Sequence, residues 1–373
     1  MIRVLHVIGR MAPGGTEHQL IGMLEAAHRH LWDATLCVLS SGWPLTERAR
    51  DAGIPVVEIT GSTRADPRRA HRLRQLGKDA DVVHASLPLA STFARLSNLG
   101  PGRPALVISE RGIDIRRHPA VEVANRLLSR VTDAYIGNST AVTDYIRSTH
   151  GIAADDPRVV AIPNGLDTSI FHPASRPARS IGRQARLLGV GRLIASKRFD
   201  LTIGLLPTLS AANDVSLTLI GDGPERPRLQ TMARGLPVTF VGHVSGRTQV
   251  AEIMRESDVL VMPSAAEGYP NAVLEALGCG LQVVASDIPG IRPAAGDGVR
   301  LVPDDAKAWC DAILEALHEG PIPAPHLSSR ILSFDEVAAR HLDVFRVAID
   351  RRLLTERLSQ PQPKDPSTSG KNL

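Results

Sequence analysis

Aromatic residues make up only 3% of this 373-residue chain: six Phe, three Trp and three Tyr. Platforms that stack bases need aromatic faces, so nucleic acid is not the expected partner. Cysteine is scarce too. Cys37, Cys279 and Cys310 have no metal-ligand spacing, and an odd number gives no disulfide framework. A reducing, cytoplasmic setting fits, with no metal. No apolar run approaches the ~18 residues of a membrane span, so any membrane contact is expected to be peripheral. The opening IRVLHVI is too short for a signal core and reads as a first strand rather than a targeting segment. The glycine turn after it lacks the dinucleotide fingerprint GxGxxG.

What is present is an ordinary globular balance, 43% hydrophobic and 22% charged residues. The length suits two domains that each bury a core. A net charge of +4 favours anionic partners without identifying them.

The most informative stretch is 258–290, DVLVMPSAAEGYPNAVLEALGCGLQVVASDIPG. Its apolar run 259–262 is closed off by Pro263 and Ser264 and reads as a buried strand. A helix follows, opened by Pro270, carried by Ala272, Val273, Ala276 and Leu277, and ended by Gly278 and Gly280. With the next strand, 282–285, this makes a parallel crossover unit. Glu267 and Glu275 are eight positions apart, about 12 Å at ~1.5 Å per residue. They are too far apart to share a proton. They could hold two ends of an extended ligand such as a sugar nucleotide, with the N–H groups near Gly268, Tyr269 and Asn271 between them. The competing reading makes Glu267 a charge favoured by the helix start and Glu275 part of a solvated face.

The same alternation of strand and helix runs through the chain. Strand 4–8 leads through Gly14 and Gly15 into a helix, a turn that either admits a phosphate or is turn chemistry alone. Residues 64–78 carry Arg64, Arg68, Arg69, Arg72, Arg74 and Lys78, a basic face suited to anionic lipid headgroups or to solvent. The runs 81–86, 105–114 and 133–139 stop at polar residues, so His84, Glu110, Arg111 and Ser139 are expected to face the crevice of a doubly wound sheet. For His84 a structural role competes, and for Glu110 and Arg111 a local ion pair. Arg116, Arg117 and His118 add cations nearby. Residues 159–173 read as a strand and then a turn, a Pro-, Ser- and Arg-rich linker follows, and the pattern restarts at Arg186. Arg192 and Lys197 lie at the end of that second first strand, placed for a diphosphate.

The expected division is an N-terminal domain 1–172, a linker 173–185, a second domain 186–332, a final helix 333–358 packing back on the first, and a disordered tail 359–373. Several motifs together resemble one family: GGTE at 14–17, NGLDTSIFHP at 164–173, VGRLIASKRFD at 190–200, GDGPE at 221–225 and EGYPNAVLE at 267–275. They are similar to the retaining GT-B glycosyltransferases of glycosyltransferase family 4. The resemblance implies two Rossmann-like, doubly wound parallel-sheet domains facing a cleft, with the sugar nucleotide held mainly by the second and the acceptor by the first. It gives Glu267 a place beside the donor sugar hydroxyls, Glu275 the nucleotide ribose, and Arg192 and Lys197 the leaving diphosphate. It places Gly14, Gly15, Gly268, Tyr269, Pro270 and Asn271 against the donor, and Glu110, Arg111 and His84 on the acceptor side. No cofactor or metal is implied.

The implied activity is transfer of a sugar from a nucleoside-diphosphate sugar to a glycan, lipid-linked or small-molecule hydroxyl, in cell-surface polysaccharide or glycoconjugate synthesis. A cytoplasmic protein, peripheral on the inner membrane face, would suit that task. The alternatives are a sugar-nucleotide 2-epimerase, which needs no acceptor, and a non-catalytic module that binds sugar nucleotides.

Overall fold

Each apolar run that ends in polar residues becomes a parallel strand. The computed structural model describes residues 1–61, 63, 66–113, 119–173, 184–212, 214–294, 296–322 and 331–359. Arg64, Arg116, Arg117, His118, most of the linker and nearly all of the tail lie outside the described residues.

The first half alternates β1 (Ile2–Ile8), α1 (Gly15–Ala27), β2 (Trp32–Val38), α2 (Pro44–Asp51), β3 (Val56–Glu58), α3 (Arg68–Gly77) and β4 (Val82–Ser86). It continues with α4 (Pro88–Ser97), β5 (Ala105–Glu110), α5 (Pro119–Leu128), β6 (Ala134–Gly137), α6 (Thr140–His150) and β7 (Val159–Ala161). These strands form one parallel sheet of order β3-β2-β1-β4-β5-β6-β7. A short strand β8 (Gly165–Leu166) ends this half.

The second half repeats the design with β9 (Ala185–Val190), α7 (Phe199–Ala212), β10 (Val215–Ile220), α8 (Arg226–Met232), β11 (Val238–Gly242), α9 (Arg247–Glu256) and β12 (Val259–Met262). Then come α10 (Asn271–Gly278), β13 (Gln282–Ser286), β14 (Val299–Val302) and α11 (Ala306–Glu319). Its sheet order is β11-β10-β9-β12-β13-β14. Both sheets therefore reverse direction beside their first strand, and in such sheets ligands bind at the carboxyl ends next to that reversal. Strands covered by helices on both faces read as unbroken apolar runs, as VLVM of β12 does, buried at every position.

The last helix, α12 (Phe334–Ser359), returns to the first sheet, set one residue later at each end than the range expected from the sequence. A short strand β15 (Leu332–Ser333) pairs with β8 and delivers it. Its start is a capping box: the Ser333 N–H donates to Glu336 Oε2 at 2.8 Å, and the Glu336 N–H donates to Ser333 Oγ at 3.2 Å. Val337, Ala338, Leu342, Phe345 and Ala348 then join the core of the first sheet, although they come from the far end of the chain. Gly22 and Gly165 leave room for the Phe334 ring, which any Cβ there would meet.

The basic face expected on 64–78 is divided. Arg69 is buried, donates to the Leu39 carbonyl at 3.0 Å and lies over the Phe93 ring; Arg74 donates to the Ser97 and Leu99 carbonyls. Arg69→Gln is therefore expected to cost about 2 kcal/mol in a urea titration, from a lost charged hydrogen bond. Arg68→Gln and Arg72→Gln, at exposed positions, should each stay within ~0.5 kcal/mol. No described helix is long and apolar enough to cross a membrane.

Candidate active site

The loops that leave β1, β9 and β12 at the two sheet reversals open onto one cleft of about 520 Å³. Gly14 and Gly15 line it from the first half, and Gly191, Arg192 and Lys197 from the second. Helices α1 and α10 both begin there. Gly14 precedes α1 and Pro270 precedes α10, and neither cap carries a side-chain hydrogen bond. The positive dipole end at each start favours an anion, and at α1 the buried Glu17 carboxylate already takes part of that place, accepting from its own N–H.

Glycine makes the loop packing possible. Gly221 has φ +136°, and a Cβ there would strike the Gly191 carbonyl. Gly290 supports the loop carrying Glu267 in the same way, since its Cβ would strike the Glu267 carbonyl.

Lys197 ion-pairs with Glu267, 70 positions away, and both are mostly buried, with side chains 19% and 13% exposed. Glu267 is thus neither a helix-start charge nor a solvated one. Glu275 is 7% exposed, which removes the solvated-face alternative. Burial pushes its carboxyl upward, and the nearby Arg247 pulls it back. An Nη atom of Arg247 is 3.1 Å from Glu275 Oε1. Arg192 lines the cleft, is exposed, and has no ion-pair partner among the described residues.

A set of side-chain amides spans the cleft. Asn164 Nδ2 donates to Asn271 Oδ1 at 2.7 Å and to the Tyr269 carbonyl at 3.1 Å. Asn271 Nδ2 donates to the Gly15 carbonyl at 3.0 Å. Gln19 exchanges two 2.8 Å hydrogen bonds with the backbone of Gly165. Ser139 Oγ donates to the Gly268 carbonyl at 2.8 Å, and a Cβ on Gly268 would press on the Arg111 carbonyl. Gly268 and Asn271 therefore join the two halves; Asn271 also borders the cleft, whereas Gly268, expected against the donor, packs on the first half and does not line it.

On the first-sheet side the expectations separate. Arg111 reaches the cleft and donates to Asn164 Oδ1 at 2.8 Å rather than forming a local pair with Glu110; burial lowers its guanidinium to about 10, still charged near neutral pH. Glu110 is buried at the end of β5 and does not line the cleft. His84 does not face the crevice either. It lies two residues before the end of β4, 1% exposed, bonded to His6 at 2.9 Å and to Ser109 at 2.6 Å. Its acceptor-side placement is corrected to a place in the sheet core.

Among the lining residues that escaped the sequence are His18, Gln19 and Arg247. Arg247 had a signal. It is the first residue of α9, where the dipole disfavours a cation, and such a local conflict points to a function. Burial, with Arg247 and Arg48 nearby, lowers His18 to about 4. Among the described residues no three His, Cys, Asp or Glu side chains gather as a metal-ligand set.

Residues 13–170 match the family Glycosyltransferase Family 4, and residues 184–319 match Glycosyl transferases group 1. A GDP-mannose-dependent alpha-(1-6)-phosphatidylinositol dimannoside mannosyltransferase of Mycobacterium tuberculosis is 32% identical over 197 residues, 50% of this chain and 51% of the relative. A D-inositol 3-phosphate glycosyltransferase of an Arthrobacter species is 29% identical, over 55% of this chain and 54% of the relative. The chain spans about half the length of these curated relatives. The crystal structure of Anabaena HepE with UDP and glucose superposes with a TM-score of 0.70, at 18% identity, covering 96% of this chain and 100% of that one. With two parallel-sheet domains in the same arrangement and both halves matched, the chain belongs to the GT-B glycosyltransferases, a family 4 domain followed by a group 1 domain.

Proposed function

We propose that the protein transfers a sugar from a nucleoside-diphosphate sugar to an acceptor hydroxyl, with retention of anomeric configuration. The observation that carries this reading is the pair of carboxylates held by cations in one cleft, Glu267 with Lys197 and Glu275 with Arg247, beside two helix starts. Glycosyl transfer develops positive charge on the sugar ring and negative charge on the departing phosphate. Lys197 and Arg192 would stabilise the second charge, and Glu267 would sit by the sugar hydroxyls. Glu275 would accept the ribose hydroxyls, and the N–H groups after Gly14 and Pro270 would meet the phosphates and sugar.

The acceptor is a glycan, a lipid-linked sugar or a small alcohol, in the synthesis of a cell-surface polysaccharide or glycoconjugate. Inositol in the names of both relatives and the chain's positive charge favour an anionic, inositol-bearing acceptor. A peripheral contact with an anionic membrane would rest on Arg68, Arg72 and Lys78, which stay exposed.

Incubation with UDP-, GDP- and ADP-sugars tests the class. Slow release of one free nucleoside diphosphate is expected, with the α-anomer of the donor giving α product once an acceptor is supplied. Interconversion of the sugar nucleotide without release would instead mark an epimerase, and neither reaction a binding module.

A further inference from the structure

Arg247 occupies an unfavourable place for a surface cation. It follows the cap Gly246 as the first residue of α9, where the helix dipole repels positive charge. It is also mostly buried, its side chain 16% exposed. Two contacts hold it there: its guanidinium lies 4.7 Å from the centroid of the Phe171 ring, and an Nη atom lies 3.1 Å from Glu275 Oε1. Phe171 is 1% exposed and forms part of the core under α10, so the platform is rigid. All three residues line the cleft.

A carboxyl group accepts hydrogen bonds from two hydroxyls most strongly as an anion, because protonation turns one of its oxygens into a donor and removes the charge assistance. Burial works against that anion, and a fixed guanidinium restores it. Resting on the proposed role of Glu275 at the ribose, we infer that Arg247 is a positioning residue: braced on Phe171, it holds Glu275 as a charged acceptor for the ribose hydroxyls of the donor. A surface-type arginine could turn away when the nucleotide enters. This one is clamped between a ring and a carboxylate on separate elements, and an Arg guanidinium stacks and forks in a way that suits both.

Calorimetry tests this with GDP and UDP and with the 2′,3′-dideoxy form of each, from pH 6.5 to 8.5. The dideoxy nucleotide carries the same diphosphate, so phosphate titration cancels in the ratio of affinities. Wild type should prefer the ribonucleotide about tenfold at every pH, the equivalent of one good hydrogen bond to a charged group. Arg247→Met keeps a stem over Phe171 without the charge, and its preference should fall toward unity as pH drops across the range. Arg247→Lys should keep the preference, and it carries the test if the methionine variant does not fold. A preference in Arg247→Met that does not vary with pH, whether kept or lost, or one lost in Arg247→Lys, overturns the inference and leaves the Glu275 reading standing. A wild type indifferent to the ribose hydroxyls overturns that reading and this inference with it.

Discussion

Lys197→Ala is expected to lower turnover about a hundredfold, roughly 3 kcal/mol, while weakening nucleoside diphosphate binding by less than about tenfold. The asymmetry comes from where the charge is. Before reaction the lysine already has an anionic partner, Glu267, so a bound diphosphate shares it rather than gaining it outright. As the bond to the sugar breaks, charge grows on the departing phosphate, and an interaction that strengthens only then raises turnover rather than affinity. Single-turnover donor hydrolysis beside calorimetry with the free diphosphate separates the two effects. Removing the lysine also leaves Glu267 mostly buried and unpaired, so the variant's melting temperature must accompany the rates. A raised Michaelis constant with near-normal turnover would show that Lys197 only binds.

That pairing shows where a sequence stops being legible. The strands could be read because strands covered on both faces are continuous apolar runs, and Pro270 and the glycines marked the ends of α10. Contacts between distant positions could not be read. Nothing local joins Lys197 to Glu267, Gln19 to Gly165, or Asn164 to Asn271, because each contact exists only once two sheets and their loops have assembled. Glu275 shows the same limit from the other side. Spacing alone allowed a solvated face, and its partner Arg247, which lies over Phe171, belongs to another helix. His84 was misplaced for a different reason. The end of an apolar run is legible to about two residues, and in β4 two residues separate the crevice from the core.

His84 is instead the centre of a buried polar chain whose proton positions are forced. Trp32 Nε1 can only donate, so His6 Nε2 accepts at 3.1 Å. His6 Nδ1 therefore carries the proton shared with His84 Nδ1, and His84 Nε2–H donates to Ser109 Oγ. Protonating either ring would set one donor against another. His341 comes from α12, donates Nδ1–H to the Val337 carbonyl at 2.8 Å, and has its buried Nε2 without a hydrogen-bond partner among the described residues. Burial lowers His6 and His341 to about 3 and holds His84 well below the ordinary histidine value, with Arg111 close to His84 and His341.

The consequence is an acid-labile first domain. Between about pH 6.5 and pH 3 the unfolded chain binds the protons of His6 and His341 and the folded chain does not, so stability is complete above pH 6.5 and falls as pH drops below it, with His84 acting in the same direction. His6 and His341 each contribute about 1.4 kcal/mol per pH unit once the unfolded ring is protonated, about 3 kcal/mol together. By pH 5 the loss from these two reaches roughly 4 kcal/mol, a large part of the stability of an ordinary domain. His18 adds to it, while Glu17 and Glu275, raised by burial, oppose it. A difference between two proteins cancels those terms. His341→Leu removes one titrating ring and the unpartnered Nε2, and urea midpoints from pH 8 to 5 should show its slope shallower than wild type by ~1.4 kcal/mol per unit. Equal slopes would mean that His341 takes up its proton in the folded protein, with α12 already lifted from the sheet.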